Sequence, residues 1–332
     1  MRKKTTSLCS CKLAYQFTKI LSSREFSLVK EILKNAEGQQ IGKMLDTLCP
    51  FNYILFWIIY NKQGVKVSNL EKLVNQATST LDRFRLDEKT ALVVGGNKGL
   101  GQAMALALAA AGANVCIVAR GPEGLQETAE AITKLGRTGK SIAADVTHEE
   151  QVKKMVGRML DFFGKIDILV NSQGTVHLQP ITEFDTDAWQ KVIDVNLKSV
   201  FLCCKHVGRV MLQQGKGKII NISSVRSFQG RIEDAAYAPS KGGVNQLTRS
   251  LSIEWGPKGI NVNAIAPVFT LTAMNQSFLK DRAKSEWVLS RIPMKRFGQL
   301  EDLFGPIVFL ASEASNFVNG HVLLVDGGWI AG

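Results

Sequence analysis

The run TALVVGGNKGLG at residues 90–101 decides the fold of this 332-residue chain. Five apolar or β-branched residues lead directly into glycines spaced GxxxGxG, at Gly95, Gly99 and Gly101, and a helical pattern follows. Glycines allow a tight turn and let a pyrophosphate approach the N-terminus of a helix, whose free N–H groups and dipole favour an anion. The run therefore predicts a strand, a phosphate-binding loop and a helix.

Strand and helix patterns continue to alternate toward the carboxyl terminus. Further strand-like runs lie at residues 114–119, 141–144, 166–171, 218–223, 260–265 and 321–325, with helical patterns between them. Apolar strands separated by helices predict a parallel sheet that is covered on both faces. We therefore expect an α/β fold with a doubly wound, seven-stranded parallel sheet of the Rossmann type. Ligands of such sheets bind beyond the carboxyl ends of the strands.

Charge and composition divide the chain at about residue 84. Residues 1–84, a predicted N-terminal extension, contain 13 basic and 6 acidic residues, which is most of the excess behind the net charge of +12. Residues 85–332 form the predicted α/β domain. Since no nucleic-acid-binding motif accompanies the basic charge, we expect no nucleic-acid partner. The six cysteines include no CxxC pair, so we expect reduced structural thiols and no metal site.

The purpose of the N-terminal extension stays open. Six basic residues and no acid up to Arg24 are compatible with an organelle transit peptide. The apolar run FNYILFWIIY at 51–60 is shorter than the roughly 20 residues that span a bilayer, although contact with a membrane surface is an alternative. Ser68 and Glu71 form a capping-box pattern that predicts a helix reaching Phe84. Three alternatives remain: an extension without fixed structure or a gene-model artefact, targeting, and docking to a membrane or partner. We expect a cytoplasmic protein, with organelle targeting as the alternative.

The end of the second strand indicates which cofactor binds. An acidic residue at this position binds the ribose 2′-hydroxyl of NAD, whereas an arginine accommodates the 2′-phosphate of NADP. Here the strand ends in Arg120 with no acid, and Lys98 in the glycine loop adds a second cation. A guanidinium forms paired hydrogen bonds with phosphate, so NADP is favoured and NAD is the alternative. Asp145 and Val146 follow the third strand, where the adenine would lie.

A YxxxK pattern at Tyr237 and Lys241 predicts the reacting groups. Four residues apart on a helix, the two side chains share one face. Ser224 precedes Tyr237 by 13 residues, at the carboxyl end of a predicted strand. The second YxxxK in the chain, Tyr15 with Lys19, has arginine instead of serine at that position. Only the pattern at Tyr237 therefore has the context of a site.

From about residue 86 to the carboxyl terminus the chain resembles the short-chain dehydrogenases/reductases of the single-domain type. It looks most similar to gluconate 5-dehydrogenases and 2-deoxygluconate 3-dehydrogenases, and more loosely to 3-oxoacyl-carrier-protein reductases. The matching features follow the family's order: GxxxGxG at 95–101, Asp145-Val146, NSQG at 171–174 in place of NNAG, Asn196, Ser224, Tyr237 with Lys241, Pro267 with Thr272, and VDGG at 325–328.

The resemblance implies a role for each matching residue. Tyr237 would be the general acid/base, with Lys241 and the oxidised cofactor lowering its pKa and Ser224 orienting the substrate oxygen. Lys241 would also hold the nicotinamide ribose, and Asn196 would support a water that relays protons. The implied cofactor contacts are Gly95, Asn97, Lys98, Gly99, Leu100, Gly101, Arg120, Asp145, Val146, Asn171, Gly174, Tyr237, Lys241, Pro267 and Thr272. Among these, Asn171 and Gly174 would line the cleft, and Thr272 would hold the carboxamide.

Three positions, in two segments, depart from the family's pattern. Ser172 and Gln173 replace the small residues of the NNAG turn, and Gln173 would intrude near the substrate. Val268 stands where the family usually has glycine, so a positive φ there would be strained and the loop would differ. The Ser-Tyr-Lys set is unaffected.

The substrate is the least determined part of the prediction. A carbonyl or alcohol on a sugar acid, polyol or similar small molecule is favoured, and a 3-oxoacyl thioester is the alternative. The predicted lid at 269–299 is rich in lysine and arginine, and Arg226 and Arg231 follow Ser224 closely. These cations either meet an anionic substrate or are solvated. A non-catalytic NADP-binding sensor or scaffold is a further alternative. The carboxyl end resembles relatives in which it packs across subunits, which implies a homotetramer.

Overall fold

The computed structural model describes residues 73–74, 76–272 and 281–332. The chain divides into two compact units, residues 1–77 and 78–332. The apolar run at 51–60, the predicted targeting segment and the capping-box residues Ser68 and Glu71 lie outside the described residues. Of the helix predicted to reach Phe84, residues 73–74 and 76–78 are helical, and a 3-10 helix at Leu81–Phe84 follows a turn.

The larger unit contains the predicted sheet, and all seven strands are parallel. The strands are β1 (Thr90–Val94), β2 (Asn114–Ala119), β3 (Gly139–Ala143), β4 (Ile168–Asn171), β5 (Gly217–Ile222), β6 (Ile260–Pro267) and β7 (Val322–Val325). Their order is β3-β2-β1-β4-β5-β6-β7, which confirms the doubly wound topology. Strand β1 pairs with both β2 and β4, so the order reverses beside it. Ligands bind at such a reversal point.

Helices cover both faces of the sheet. They are α1 (Gly99–Ala110), α2 (Leu125–Lys134), α3 (Glu149–Phe163), α4 (Thr186–Ile193), α5 (Ser199–Gln214), α6 (Tyr237–Trp255), α7 (Arg282–Arg291) and α8 (Phe304–Ala311). One buried apolar cluster joins the sheet to α3, α5 and α6, and a second joins it to α1, α2 and α8. A π-helical turn at Asp194–Lys198 connects α4 to α5.

A capping side chain and glycines set several helix ends. Asp185 caps α4 by accepting a hydrogen bond from the Ala188 N–H at 2.7 Å. Gly164 and Gly215 end α3 and α5 in the left-handed conformation that glycine adopts without strain. Within the described ranges, no helix has both the length and the apolar character needed to cross a bilayer.

The cysteines that the structure describes are free thiols in the core. Cys116, Cys203 and Cys204 are all buried. Burial raises the pKa of Cys116 and of Cys204 to about 12, so both are protonated at neutral pH. These three match the prediction of structural thiols. The other three cysteines lie outside the described residues.

Candidate active site

Two glycines of the loop between β1 and α1, Gly95 and Gly101, leave no room for a side chain. Gly95 has φ +77°, and a Cβ placed on it would lie 2.8 Å from the Gln173 nitrogen. A Cβ on Gly101 would lie 2.0 Å from the Gly95 carbonyl oxygen. No side chain caps α1 at its N-terminus. The first N–H groups of the helix are therefore left for a ligand, as an anion site requires.

Small residues also keep open the cleft beyond this loop. Thr272 faces the loop, with its Cγ2 3.7 Å from where a Cβ on Gly99 would lie. A Cβ on Gly174 would lie 3.6 Å from both the Asn196 Oδ1 and the Lys241 Nζ. Pro267 ends β6 at the same edge of the sheet. A cradle bounded by glycines and a helix N-terminus, with a buried lysine at its far end, fits a nicotinamide dinucleotide.

Of the residues predicted to meet the adenosine half, Arg120 follows β2, Asp145 follows β3 and Lys98 lies in the loop after β1. Lys98 and Arg120 are both exposed. The pKa of the Asp145 carboxyl group is lowered overall. Burial opposes the lowering, hydrogen bonds from Thr147 cause most of it, and the charge of Arg120 adds a smaller part. Asn97 donates a hydrogen bond at 2.9 Å to the Glu123 carbonyl, which ties the glycine loop to the segment after β2.

Two further predicted contacts in this half have no side-chain hydrogen bond to offer, because Leu100 and Val146 are apolar. Leu100 is partly buried in the first turn of α1, and Val146 is buried after β3. Their predicted role is packing against the cofactor, and it stays a prediction.

Lys241 is a buried cation at the centre of the site. It is 4% exposed, and its Nζ donates a hydrogen bond to the Ile222 carbonyl at 2.7 Å. Burial lowers its pKa from 10.5 to about 8. The Nζ lies 5.8 Å from the centroid of the Tyr237 ring, one helical turn earlier in α6. The predicted sharing of one helix face therefore holds.

Tyr237 lies close to Ser224, which follows the end of β5. Burial raises the pKa of the Tyr237 phenol, and interaction with Ser224 opposes that rise. Ser224 is 7% exposed, and its Oγ also accepts from the Arg226 N–H at 3.1 Å. In the protein alone the pKa shift is therefore upward. The lowering expected with Lys241 and the oxidised cofactor stays a prediction.

Asn196 lies in the π-helical turn and clamps two segments together. Its Oδ1 accepts from the Thr175 N–H at 2.8 Å, and its Nδ2 donates to the Thr175 carbonyl at 2.9 Å and to the Ser240 Oγ at 3.0 Å. Both amide hydrogens are thereby used. This side chain therefore links Thr175, which follows the 171–174 turn, to Ser240 in α6, and the predicted proton relay stays a prediction.

The Asn171 side chain corrects one expectation. It was predicted to line the cofactor cleft, yet it is completely buried and donates to the Asn221 Oδ1 at 2.9 Å. Asn221 in turn donates to the Thr248 Oγ1 at 2.9 Å, so the three form a polar row inside the core. Strand pairing causes this, because Asn171 lies opposite Asn221 in the register of β4 and β5. A cofactor contact through the Asn171 backbone stays a prediction.

Of the two departures from the family's pattern, the intrusion of Gln173 near the substrate stays a prediction, whereas the strain at Val268 can be checked in the structure. Gln173 is 8% exposed and donates to the Ser199 Oγ at 2.9 Å. Of the described residues other than glycine, only Glu88, Glu233 and Lys295 have positive φ. The strain expected at Val268 is therefore absent.

A hydrogen-bond network that the sequence analysis did not predict holds the turn after β5. Ser223 donates to the Asn245 Oδ1 at 2.6 Å, and Asn245 donates to the Ser227 Oγ at 2.8 Å. Ser227 donates to the Ser224 carbonyl at 2.5 Å. The available signal was spacing, because Asn245 follows Lys241 by four residues and so shares its helix face.

The cations of the predicted lid are largely paired at the surface. Residues 273–280 lie outside the described part of the chain, and α7 follows them. Arg282 pairs with Glu286 at 2.7 Å, Lys284 with Asp281 at 3.2 Å, and Arg296 with Asp302 at 2.6 Å. These three favour the interpretation as solvated charges. Arg226, in contrast, is 8% exposed.

A cavity of about 410 Å³ adjoins the N-terminus of α6. Its lining includes Arg231, Asp234 and Pro239. Of the described residues that line it, none belongs to the catalytic set. The cavity therefore lies beside the reacting groups and does not contain them.

Comparison with known proteins places the chain among enzymes. The family described as Enoyl-(Acyl carrier protein) reductase matches residues 94–330. The chain is 44% identical over 250 residues to the 2-dehydro-3-deoxy-D-gluconate 5-dehydrogenase of Bacillus subtilis (strain 168), covering 75% of this chain and 98% of that one. It is 40% identical over 253 residues to the 5-keto-D-gluconate 5-reductase of Escherichia coli (strain K12), covering 75% and 98%.

A solved structure agrees with these relatives. The gluconate 5-dehydrogenase from Burkholderia cenocepacia J2315, in complex with NADP and tartrate, superposes with a TM-score of 0.74 at 40% identity. The match covers 76% of this chain and 99% of that one. The motifs, the sheet order and these relatives together confirm the resemblance drawn from the sequence. The chain belongs to the short-chain dehydrogenase/reductase family.

Proposed function

We propose that this protein is an NADP(H)-dependent oxidoreductase that interconverts a carbonyl and a secondary alcohol on a sugar acid, polyol or similar small substrate. The convergence of Ser224, Tyr237, Lys241 and Asn196 beside the glycine loop carries the proposal. The named activities of the relatives, which are sugar-acid dehydrogenases and reductases, support the substrate class.

The mechanism follows from the state of each side chain. Because burial raises the pKa of Tyr237, its phenol is protonated at neutral pH and can donate a proton to a substrate carbonyl oxygen. Ser224, close to Tyr237, supplies a second contact to that oxygen and orients it. In the reverse direction Tyr237 accepts the proton of the alcohol. The bound cofactor supplies or accepts the hydride.

Lys241 and Asn196 organise the proton donor. Lys241, with a pKa of about 8, is predominantly protonated at neutral pH, and its positive charge beside Tyr237 favours the phenolate that remains after proton donation. Asn196 holds the start of α6 through Ser240. Both residues therefore fix the position and charge of the phenol.

The preference for NADP rests on the exposed cations at the adenosine end. Arg120 and Lys98 offer two positive charges to a 2′-phosphate, and β2 ends without an acid to bind a free 2′-hydroxyl. The related gluconate 5-dehydrogenase structure contains NADP. The proposal also includes a homotetramer and a cytoplasmic location, and a monomeric mass at micromolar concentration would contradict the first.

One alternative is a 3-oxoacyl-thioester reductase. The description of the matching family, a reductase of carrier-protein substrates, favours it. A non-catalytic sensor is the other alternative, but it predicts damage to the catalytic set, and that set is complete in this chain.

The experiment is initial-rate oxidation of NADPH and, separately, of NADH, with 5-ketogluconate and with an acetoacetyl thioester. The proposal expects turnover of the keto-acid, faster with NADPH. Turnover of the thioester alone would replace the substrate class. Cofactor binding with turnover of neither compound would favour the sensor.

A further inference from the structure

The segment between Ser224 and Tyr237 contains charged side chains with buried atoms that have no hydrogen-bond partner. Buried polar atoms are nearly always hydrogen-bonded, and an unpaired buried charge costs free energy. Among the described residues, five buried side-chain polar atoms have no hydrogen-bond partner, and three of them belong to this segment. The five are Arg226 Nη2, Arg231 Nε, Asp234 Oδ2, Asn171 Oδ1 and Gln173 Oε1.

Arg226 is the most constrained of these groups. Its guanidinium carbon lies 5.4 Å from the ring centroid of Trp329, which is itself 1% exposed. Trp329 is fixed by donating to the Gln229 Oε1 at 2.8 Å. The Arg226 Nη1 reaches the Gly230 carbonyl only at 3.4 Å, a long contact. The stack therefore orients the guanidinium while its Nη2 stays unsatisfied.

The guanidinium of Arg226 is also close to the reacting centre. Arg226 follows Ser224 by two residues, and its backbone N–H donates to the Ser224 Oγ. The charge of Arg226 contributes to the pKa of Tyr237, and Tyr237 contributes to that of Arg226. A small substrate whose carbonyl oxygen lies at Ser224 and Tyr237 thus has a buried cation near its other atoms.

We propose that the unsatisfied Nη2 of Arg226 binds the carboxylate of the substrate, an inference that rests on the proposed function. A carboxylate would complete the hydrogen bonding of this nitrogen and neutralise its charge. Arg231, paired only loosely with Asp234 at 3.8 Å, adds positive potential nearby.

Burial decides between a small acid and an acidic carrier protein. At 8% exposure, Arg226 is too buried for carboxylates on the surface of another protein to contact it, so its partner has to be a molecule small enough to enter the site. The exposed cations at 282–296 would suit such a protein, but three of these five cations, Arg282, Lys284 and Arg296, are already paired with acids. The subsite therefore favours a small carboxylate.

The test measures binding of tartrate to the NADP-loaded protein by titration calorimetry, which needs no turnover. Arg226→Gln is expected to weaken tartrate binding by about 10- to 100-fold, since a hydrogen bond to a charged group is lost. Arg226→Lys should keep part of the affinity. Threitol, which has the same carbon chain and no carboxylate, should bind the wild type and the variants equally weakly.

Arg291→Gln is the matched control. The Arg291 guanidinium lies 5.6 Å from the same Trp329 ring, but the residue is exposed. This variant should leave tartrate affinity within about twofold, because it keeps the buried contact. Equal losses in both glutamine variants would overturn the proposal in favour of general positive potential. Unchanged affinity in Arg226→Gln, or no tartrate binding by the wild type, would also overturn it.

Failure of the proposed function would look different. In that case 5-ketogluconate would not be turned over with either cofactor, whatever tartrate does. Should Arg226→Gln unfold, Arg226→Lys still decides: a well-folded lysine variant with full tartrate affinity would contradict the need for a guanidinium nitrogen at this place.

Discussion

The two halves of the sheet meet the ligand in opposite ways. At the ends of β1, β2 and β3 the protein offers glycines, a helix N-terminus and two exposed cations. At the ends of β4 and β5 it offers buried side chains: Lys241 and Asn196, and the unpaired atoms between residues 171 and 234. Under the proposed function, the first half would recognise shape and phosphate charge at little expense to stability. The second half holds charges and polar atoms out of water, which costs free energy that the rest of the fold must offset.

The contrast teaches where variants should act. Changes in the first half should alter cofactor affinity alone, because backbone and solvent-exposed groups do the binding. Changes in the second half should alter turnover, and also stability where a buried charge is removed. Four variants test this division, in order of decreasing expected effect.

Tyr237→Phe should have the largest effect. Removal of the only proposed proton donor is expected to lower turnover by about 10³-fold or more, while NADPH affinity stays within about twofold. Steady-state rates and fluorescence titration of NADPH measure the two quantities. Tyr15→Phe, in the chain's other YxxxK pattern, is the control and should change neither; comparable turnover in both variants would refute the mechanism.

Lys241→Met should show, through the pH dependence of the free energy of unfolding, how much the burial of this charge costs. The pKa of Lys241 is about 8 in the folded protein and 10.5 when unperturbed, so the unfolded chain holds more protons between these values. The stability of the wild type relative to this variant should therefore rise with pH, by up to about 3 kcal/mol between pH 7 and pH 10. Denaturant unfolding at both pH values measures the difference.

Lys218→Met is its control. Burial also lowers the pKa of Lys218 to about 8, but this lysine lies at the opposite end of β5. It should show the same direction in stability and no loss of turnover. If the difference in free energy of unfolding between the wild type and Lys241→Met did not change with pH, the burial of the Lys241 charge would not destabilise the protein.

Arg120→Ala tests the cofactor half. The NADPH dissociation constant should rise about 10-fold or more, because a charge-assisted contact to the 2′-phosphate is lost, while NADH binding is unchanged. Arg137→Ala, which removes a guanidinium that pairs with Asp87 at 3.3 Å, should affect neither cofactor. An equal loss for NADH and NADPH would place Arg120 outside the phosphate site.

Asn97→Ala should have the smallest effect. It removes one partly exposed hydrogen bond to Glu123, so NADPH affinity should fall by less than about 10-fold and turnover at saturation should not change. Asp185→Ala removes a helix cap outside the cofactor half and should lower stability by about 1 kcal/mol without affecting the cofactor. A fall in turnover at saturating NADPH for Asn97→Ala would contradict the division between a half that sets cofactor affinity and a half that sets turnover.

Sequence patterns predicted the fold well because strands are short apolar runs between recognisable loops. The predicted boundaries differ from the observed ones by a residue or two: 141–144 against Gly139–Ala143, and 166–171 against Ile168–Asn171. The grouping of Ser224, Tyr237 and Lys241 was also predictable, since helix spacing and the end of a strand bring them together.

Three features were beyond reach for physical reasons. The inward direction of Asn171 depends on strand register with Asn221, which no local pattern reveals. The burial of Arg226 depends on Trp329, a partner about a hundred residues away, and a charge is normally expected at the surface. The π-helical turn at Asp194–Lys198 contains neither glycine nor proline, so nothing in its composition marks it.

Because of that turn, the site depends on the number of residues in the segment as well as on their chemistry. A π turn accommodates one more residue than an α-helical turn, so the residues inside it, Asn196 among them, are directed differently from those of a regular helix. Deleting Val195 would remove the extra residue and let α4 run into α5 as one regular helix. Asn196 would then no longer reach both Thr175 and Ser240, and the fold would survive with its proton donor misaligned. A single-codon deletion here would damage the catalyst without altering any catalytic residue.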